Sequence, residues 1–597
     1  MTLPVQRMAI ETDGESIQGT DPPTDVSVFG NPFHENDLVD LYYQSRVNDF
    51  IKNEGRYSCG NYVLIDPGKR DGTVRIITSP GYCGGYLSTT EDGRFYAATT
   101  LRGLLEQIGV DELEFDVGSL LHYFDQNNSY RAPFSSVFDG VYRLPPGVVL
   151  ELDGTEGTYR SYLPDSLDLD APDDLGDLLS ETVRSIEDQD IVLALSGGVD
   201  STVLAVSLLE NDIEFGSVTF DIGPGYKDAP SRATAVADRL SIDTEIIDFD
   251  MPPTGATVTH IEDAMRQDLI NPRSPYRALT DRYVDEETVV LSGQNMDAMV
   301  MLNMDNPNYS SNFREDMRRP KGLLKLMLFG GKNTPFTDRY FSHESIRKAY
   351  FHLYRNIPDI LPERFVPAHL TEGRHDIDTS FDGVFRGWID HRFPNVRQNG
   401  FTAFESVEGH EAVREGLIDD EITVFRRNVT EEVSKSAVQL FDFYMYCHNS
   451  NKLLTTLPLP GGAHISTAPS WGPSVSYFTP QKRTYRSAMI PKREIYEYVE
   501  KATGSSYHSM ISGNSGFSSW ENEKESRLLY ENKHYLRAEN SFVLSELDER
   551  RYRKTVERIY ETAHEKAQSN AFTGFADLAL PQRVLNLELL LQASSND

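Results

Sequence analysis

The 597-residue chain reads as an α/β protein: an N-terminal antiparallel-sheet domain, then a doubly wound parallel-sheet domain with a helical C-terminal part. Three observations predict this. Between about 60 and 100, short strand-like segments are separated by turn signals. After 174, apolar strands alternate with helical stretches. Beyond about 300 the pattern is largely helical.

Residues 1–36 hold Pro22, Pro23, several acids and few apolar positions, so a mobile leader is expected there. The first domain is placed at 37–163. In it NYVLID, TVRIIT, GYLSTT and RFYAAT read as strands, because PGKRDG, SPG and EDG between them carry turn chemistry. LRGLLEQIG, at 101–109, and GSLLHYFDQ read as helices, and VYRLPPGVVLELDG returns to strand spacing. The acid- and proline-rich stretch at 164–176 makes a linker.

The second domain is placed at 177–530. LGDLLSETVRSI is helical, IVLAL a buried strand and STVLAVSLLEND helical. SVTFDI, SRATAVADRLS, TEIIDFD, TVTHIEDAMRQDL and TVVLSG continue the alternation as strand, helix, strand, helix and strand. LPLPGGAHISTAPSWGP reads as an irregular insertion. Residues 531–597 form a helical extension, in which DERRYRKTVERIYETAHEK is a charge-laced amphipathic helix: a surface helix or a contact in a homo-oligomer.

Composition narrows the function classes. Asp and Glu number 92 against 57 Lys and Arg, a net charge of −35. Such a surface repels nucleic acid, which binds largely through cations that neutralise phosphates. Arg outnumbers Lys by more than two to one, and with the high acid content this reads as adaptation to salt, a halophilic trait. The plain alternative is an acidic cytosolic protein. No apolar run approaches the roughly 18 residues that span a bilayer. The first residues, MTLPVQRMAIETDGES, lack the basic and apolar regions of a secretory signal, so a cytoplasmic protein is expected. Cys59, Cys83 and Cys447 form no CxxC, which fits a reducing compartment without structural zinc.

The chemistry concentrates in residues 191–201, IVLALSGGVDS. A buried strand runs into Ser196-Gly197-Gly198-Val199-Asp200-Ser201, and a helix follows at once. The glycines allow a tight bend and close approach to a ligand. Loop amides and a helix N-terminus present N–H groups to an anion, and Ser196 and Ser201 add hydroxyls. Asp200, an acid beside an anion site, makes sense as a ligand for a divalent metal that travels with a polyphosphate. The bland reading is a capped glycine turn; the loop's place at the end of a first parallel strand argues against it.

SGGVDS matches the SGGxDS loop of the ATP pyrophosphatases, and within them the chain resembles the asparagine synthetase family. The resemblance extends to SPGYCGGYLSTTEDGRFYAATTLRGLL and GVYRLPPGVVLELDG, to Tyr226-Lys227-Asp228, and to LSGQNMDA, which stands where the family has SGEGADE. The resemblance implies an N-terminal domain like a class II glutamine amidotransferase (Ntn-hydrolase-like) and an ATP pyrophosphatase domain. It implies ATP and Mg²⁺ as cofactors. Ser196, Gly197, Gly198, Asp200 and Ser201 would hold pyrophosphate, Ser292 and Gly293 would lie near the nucleotide, and Asp200 and Asp297 would hold the metal. A helix N-cap is the bland reading of Asp297. A carboxylate would be activated as an acyl-adenylate and then attacked by ammonia or another amine.

The chain departs from the pattern at three places. The family's glutaminase needs Cys directly after the initiator Met; here Thr2 follows Met1, with no strand expected after it, so glutamine hydrolysis is not expected. Gln294 replaces a glutamate, which keeps hydrogen bonds but cannot accept a proton, and Ala298 replaces the last acid. Asn514 aligns with the family's catalytic lysine, a role that Lys482 or Lys492 would then fill. The basic group Arg314, Arg318, Arg319, Lys321 and Lys325 reads as a solvated face. The sequence therefore supports an amide-forming ligase that joins a small carboxylate to an amine, with catalytic positions Asp200, Gln294 and Asp297. The alternative is an inactive relative that binds ATP as a scaffold. A sulfur-transferring pyrophosphatase would want cysteines near the loop, and none occurs there.

Overall fold

The computed structural model describes, with short gaps, residues 9–44, 60–123, 136–154, 158–162, 175–248, 262–269, 288–293, 464–467, 493–507 and 576–595, with single positions at 423, 543, 554 and 557. It is a mixed α/β chain with antiparallel and parallel sheets, as the sequence predicts.

Two sheets belong to the first part. One has the order β2-β1-β7-β6-β8, built from β1 (Ala9–Thr12), β2 (Ile17–Gly19), β6 (Tyr86–Thr89), β7 (Phe95–Ala98) and β8 (Val141–Arg143). The other has the order β10-β9-β5-β4-β3, from β3 (Ser27–Pro32), β4 (Gly60–Asp66), β5 (Arg75–Thr78), β9 (Val149–Asp153) and β10 (Thr158–Tyr162). The pairings in both are antiparallel.

Strands β1, β2 and β3 correct the expected leader. Ile10 pairs with Ala97 of the β7 strand, and Phe29 pairs with Val63 of β4. Three- to six-residue strands flanked by Pro and acids give too weak an alternation to read locally; distant partners fix them. A strand does therefore follow the N-terminal residues, which removes that ground for setting Thr2 aside. Thr2 itself lies outside the described residues.

Helix α1 (Glu35–Gln44) packs Leu38 and Tyr42 with Val28, Tyr62, Leu64, Ile77 and Val149. Helix α2 (Leu101–Ile108) starts because Thr100 accepts the Gly103 N–H at 3.1 Å, a side-chain N-cap. Leu101, Leu104 and Leu105, spaced i, i+3 and i+4, are buried and form its apolar stripe. At roughly 2 kcal/mol for each buried leucine, that stripe is what holds the helix to the sheet.

The parallel sheet has the order β13-β12-β11-β14-β15. Its strands are β11 (Asp190–Ala194), β12 (Gly216–Asp221), β13 (Glu245–Asp248), β14 (Thr288–Ser292) and β15 (His464–Thr467), and all its pairs are parallel. Helix α3 (Leu175–Arg184) precedes it, α4 (Val199–Glu210) follows β11, and α5 (Ala229–Leu240) follows β12 and packs on it. Helix α4 is buried along Ser201–Leu208, with α3 and α6 (Arg493–Thr503) packed against it. A helix apolar on every side belongs in such a place.

Strand β15 overturns part of the expected irregular insertion. Four residues with no apolar alternation carry little signal; pairing of Ile465 beside Val290 makes the strand.

A final helix, α7 (Ala576–Ser595), does not pack on the parallel sheet. Val584, Leu587, Leu590 and Leu591 join Leu101, Leu104, Leu105, Phe138 and Val141 in one core, with Leu269 and Val543. Asn586 donates to the carbonyls of Met265, at 3.0 Å, and Asp268, at 2.9 Å. Tyr86 reaches the same turn through its hydroxyl, 2.6 Å from the Asp268 carboxylate. The helix thus clasps the first part of the chain to the connection between β13 and β14. Among the described residues, no helix is long and apolar enough to cross a membrane.

Candidate active site at the ends of the parallel strands

In the parallel sheet β12 and β13 lie to one side of β11 and β14 to the other. The order reverses between β11 and β14, and in open α/β sheets ligands bind in the crevice beyond that reversal. Ala194 and Ser292 are register partners, so the two strands release their loops at the same level. The loop after β11 carries Ser196–Ser201; the residue after β14 is Gly293.

Glycine is needed at both. Gly197 has φ +68°, and a Cβ there would stand 2.6 Å from Ala233 N. A Cβ on Gly293 would stand 2.5 Å from Ser201 N. The loop is therefore wedged between the backbone of α5 and the end of β14, with main chain on either side. Gly198 is the N-cap of α4, in extended conformation and with no side-chain cap bond. A helix start without a side-chain cap is the setting in which an anion is bound.

The two serines brace the loop from inside. Ser201 is 2% exposed. Its hydroxyl accepts the Ser196 N–H at 3.2 Å, donates to the Gly198 carbonyl at 3.1 Å and lies 3.0 Å from the Ser196 hydroxyl. Ser196 Oγ accepts the Gly198 N–H at 3.2 Å, and Thr202 Oγ1 donates to the Gly198 carbonyl at 2.8 Å. Asp200 stands in the first turn of α4, half-buried. Ser292 is buried at the end of β14.

Sequence reasoning missed three residues here. Tyr507 donates to the Gly197 carbonyl at 2.7 Å. Arg232, in the first turn of α5, reaches the same carbonyl at 3.4 Å and the Tyr507 hydroxyl at 3.2 Å. The Tyr496 ring, on α6, lies 5.6 Å from that of Tyr507. Burial, and then the Asp200 charge, push the Tyr496 hydroxyl above its ordinary range. Burial does the same for Tyr507, against the pull of Arg232. Tyr507 and Gly197 are 310 positions apart, so no local pattern could have joined them.

Of the predicted residues, the structure brings together Ser196, Gly197, Gly198, Asp200, Ser201, Ser292 and Gly293. Gln294, Asp297, Asn514, Lys482, Lys492 and the Arg314–Lys325 group lie outside the described residues. Among the described residues no group of three or more His, Cys, Asp or Glu is placed to hold a metal.

A glycine-walled loop at the carboxyl ends of parallel strands defines a class of ligand-binding α/β domain. Residues 174–334 match the family model described as asparagine synthase, so this segment is similar to that family. The match contains the loop, Gly293, Gln294 and Asp297. The match points to a ligase-type enzyme. No curated protein matches the chain.

Proposed function

We propose that the chain is an ATP-dependent, amide-forming ligase that activates a small carboxylate for attack by ammonia or another amine. The observation that carries this is the wedge at Gly197 and Gly293. The two glycines let the loop after β11 pack directly against the backbone of α5 and of Gly293, which fixes its shape beside the start of α4. The residues fit the nucleotide: a helix start without a side-chain cap, two glycines and an acid in the first helical turn.

In this reading the Ser196–Ser201 amides and the N-terminus of α4 hold the β- and γ-phosphates, while Ser196 and Ser201 keep the loop in shape. Ser292 and Gly293 flank the nucleotide. Asp200 and Asp297 hold Mg²⁺, which supplies charge neutralisation to the departing pyrophosphate. A carboxylate oxygen bonds to the α-phosphorus as the bridging bond to the β-phosphate breaks. The amine then bonds to the acyl carbon and AMP leaves. The loop's part is position and electrostatics. Gln294 donates or accepts hydrogen bonds without taking a proton.

The two antiparallel sheets stand as a degenerate glutaminase-like domain, and the parallel sheet as a doubly wound ATP pyrophosphatase domain. With Thr2 in place of the expected cysteine, nitrogen comes from free ammonia or an amine and not from glutamine. The acidic surface belongs to a cytoplasmic protein that works in high salt. Gln294 and Asn514 favour a second reading, an inactive relative that binds ATP as a scaffold.

The test is release of AMP and pyrophosphate from ATP with Mg²⁺ in high salt, with aspartate, ammonia and cell extract supplied in turn. AMP that appears with one acceptor, and vanishes in Asp200→Ala and Asp297→Ala, is the expected result. Folded protein that binds ATP and never forms AMP would leave the scaffold reading.

A further inference from the structure

The Gly197 carbonyl accepts two side-chain donors from outside the loop. One donor comes from Tyr507, just beyond α6, and one from Arg232 on α5. The same two side chains are bonded to each other. The Arg232 Nε is buried with no hydrogen-bond partner among the described residues, so the guanidinium is held in place by its far end, against the loop. Next to this pair, α6 is seated on α4, and Tyr498 of α6 bonds Glu210 near the end of α4 at 2.6 Å. Arg239, on the last turn of α5, bonds Ser505. The segment 493–507 is thus tied to α4 and α5, and at Tyr507 to the loop between β11 and α4.

We propose that Tyr507 and Arg232 are positioning residues that form a latch on the Gly197 carbonyl, so that docking of residues 493–507 and the phosphate-holding shape of the loop are one event. The latch acts through backbone. Gly197 sits at φ +68°, a conformation that its crowded surroundings permit and its carbonyl bonds select. Fixing that carbonyl fixes the Gly197–Gly198 peptide plane, and with it the direction of the amides that follow. Donors on a carbonyl also polarise the N–H of the same peptide unit. Burial keeps the proton on Tyr507 throughout the neutral range, so the donor is constant. Coupling of this kind is reciprocal: a ligand that favours the held loop also favours the docked segment.

The inference rests on the reading of the loop as a phosphate site, and the experiment separates the two. Wild type, Tyr507→Phe, Arg232→Gln and Arg232→Lys are compared by hydrogen exchange over 196–202 and 493–507. They are also titrated calorimetrically with MgATP and with inorganic pyrophosphate. Tyr507→Phe keeps the ring and loses the hydroxyl. It should speed exchange in both segments together and weaken MgATP binding about tenfold. Arg232→Lys should restore binding to within about threefold of wild type, where Arg232→Gln does not, a rescue that a purely packing role would not show. MgATP added to wild type should slow exchange across 493–507. Exchange over 196–202 that is unchanged in Tyr507→Phe overturns the latch, and so does equal behaviour of the Lys and Gln variants. Failure of wild type to bind either probe overturns the phosphate reading, while the exchange comparison still decides the latch.

Discussion

Gly140, in the antiparallel part, and Gly197, in the parallel part, share one backbone angle, φ +68°, and differ in everything around it. A Cβ on Gly140 would meet nothing within 4 Å; one on Gly197 would meet main chain at 2.6 Å. The first glycine serves only its own turn, whereas the second lets its loop pack directly on the backbone of α5. The charged groups divide in the same way. In the antiparallel part Arg75 bonds Asp71 at 2.7 Å and Glu151 at 3.0 Å, and lies 3.7 Å from Asp66, which Tyr42 also bonds. Those groups satisfy one another and staple β4, β5 and β9. At the ends of the parallel strands α4 begins without a side-chain cap. Polar groups bonded to one another hold a fold; a helix start without a side-chain cap can meet a ligand.

Substitutions at the two glycines should show the largest contrast. Gly197→Ala should cost about 3 kcal/mol or more, because both neighbours are backbone and the angle is unfavourable as well. Gly140→Ala should cost only about 1 kcal/mol. Urea unfolding of each measures the gap, and a gap near zero would mean that the crowding at Gly197 relaxes freely. Gly293→Ala should behave like Gly197→Ala.

The staple comes next. Arg75→Met leaves Asp66, 2% exposed, without its cation. A loss of about 3 kcal/mol is expected. Adding Asp66→Asn should recover part of it, which a double-mutant cycle reads directly. Asn586→Ala should cost about 2 kcal/mol, since the buried Met265 carbonyl and the half-buried Asp268 carbonyl lose their donor. Proteolysis between β13 and β14 should quicken in that variant, because the clasp on Met265 and Asp268 is gone.

The smallest effect is that of acid. The hydrogen bonds from Arg75 hold the Asp71 carboxyl below its ordinary value of 3.8, against a weaker opposing effect of burial. A depressed folded value means that the unfolded chain binds the proton first. Asp71 therefore stabilises above about pH 4 and loses that contribution as pH falls further. Its exposure keeps the term small, and salt shrinks it more. Asp71→Asn should flatten the acid limb of the stability profile slightly, as seen in thermal melts from pH 5 to 3.

Much of this comparison was legible in the sequence because it is local. Alternation set β4 to β9, the helical stretch at 101–109 set α2, and strand–helix alternation set β11 to β14. The Ser196–Ser201 loop announced itself by its glycines. What could not be read depends on distant partners. Strands β1, β2 and β3 are too short and too polar to show a period, and β15 becomes a strand only beside β14. Arg232 looked like one more helix arginine, and Tyr507 like one aromatic in a polar stretch. The inward bonds of Ser196 and Ser201 are likewise a matter of loop geometry, which the motif alone does not fix.

Helix α7 has a consequence for the order in which the protein is made. Arg583 bonds the Tyr123 carbonyl across 460 positions of sequence, and Asn586 bonds Met265 across 321. The core over Leu101 and Leu105 is therefore finished by residues that leave the ribosome much later. At roughly 5–20 residues per second, 460 residues take on the order of half a minute to a minute and a half. For that interval the nascent antiparallel sheets present an apolar face to the cell with its cover still unmade. Contacts this distant make the last step of its folding slow.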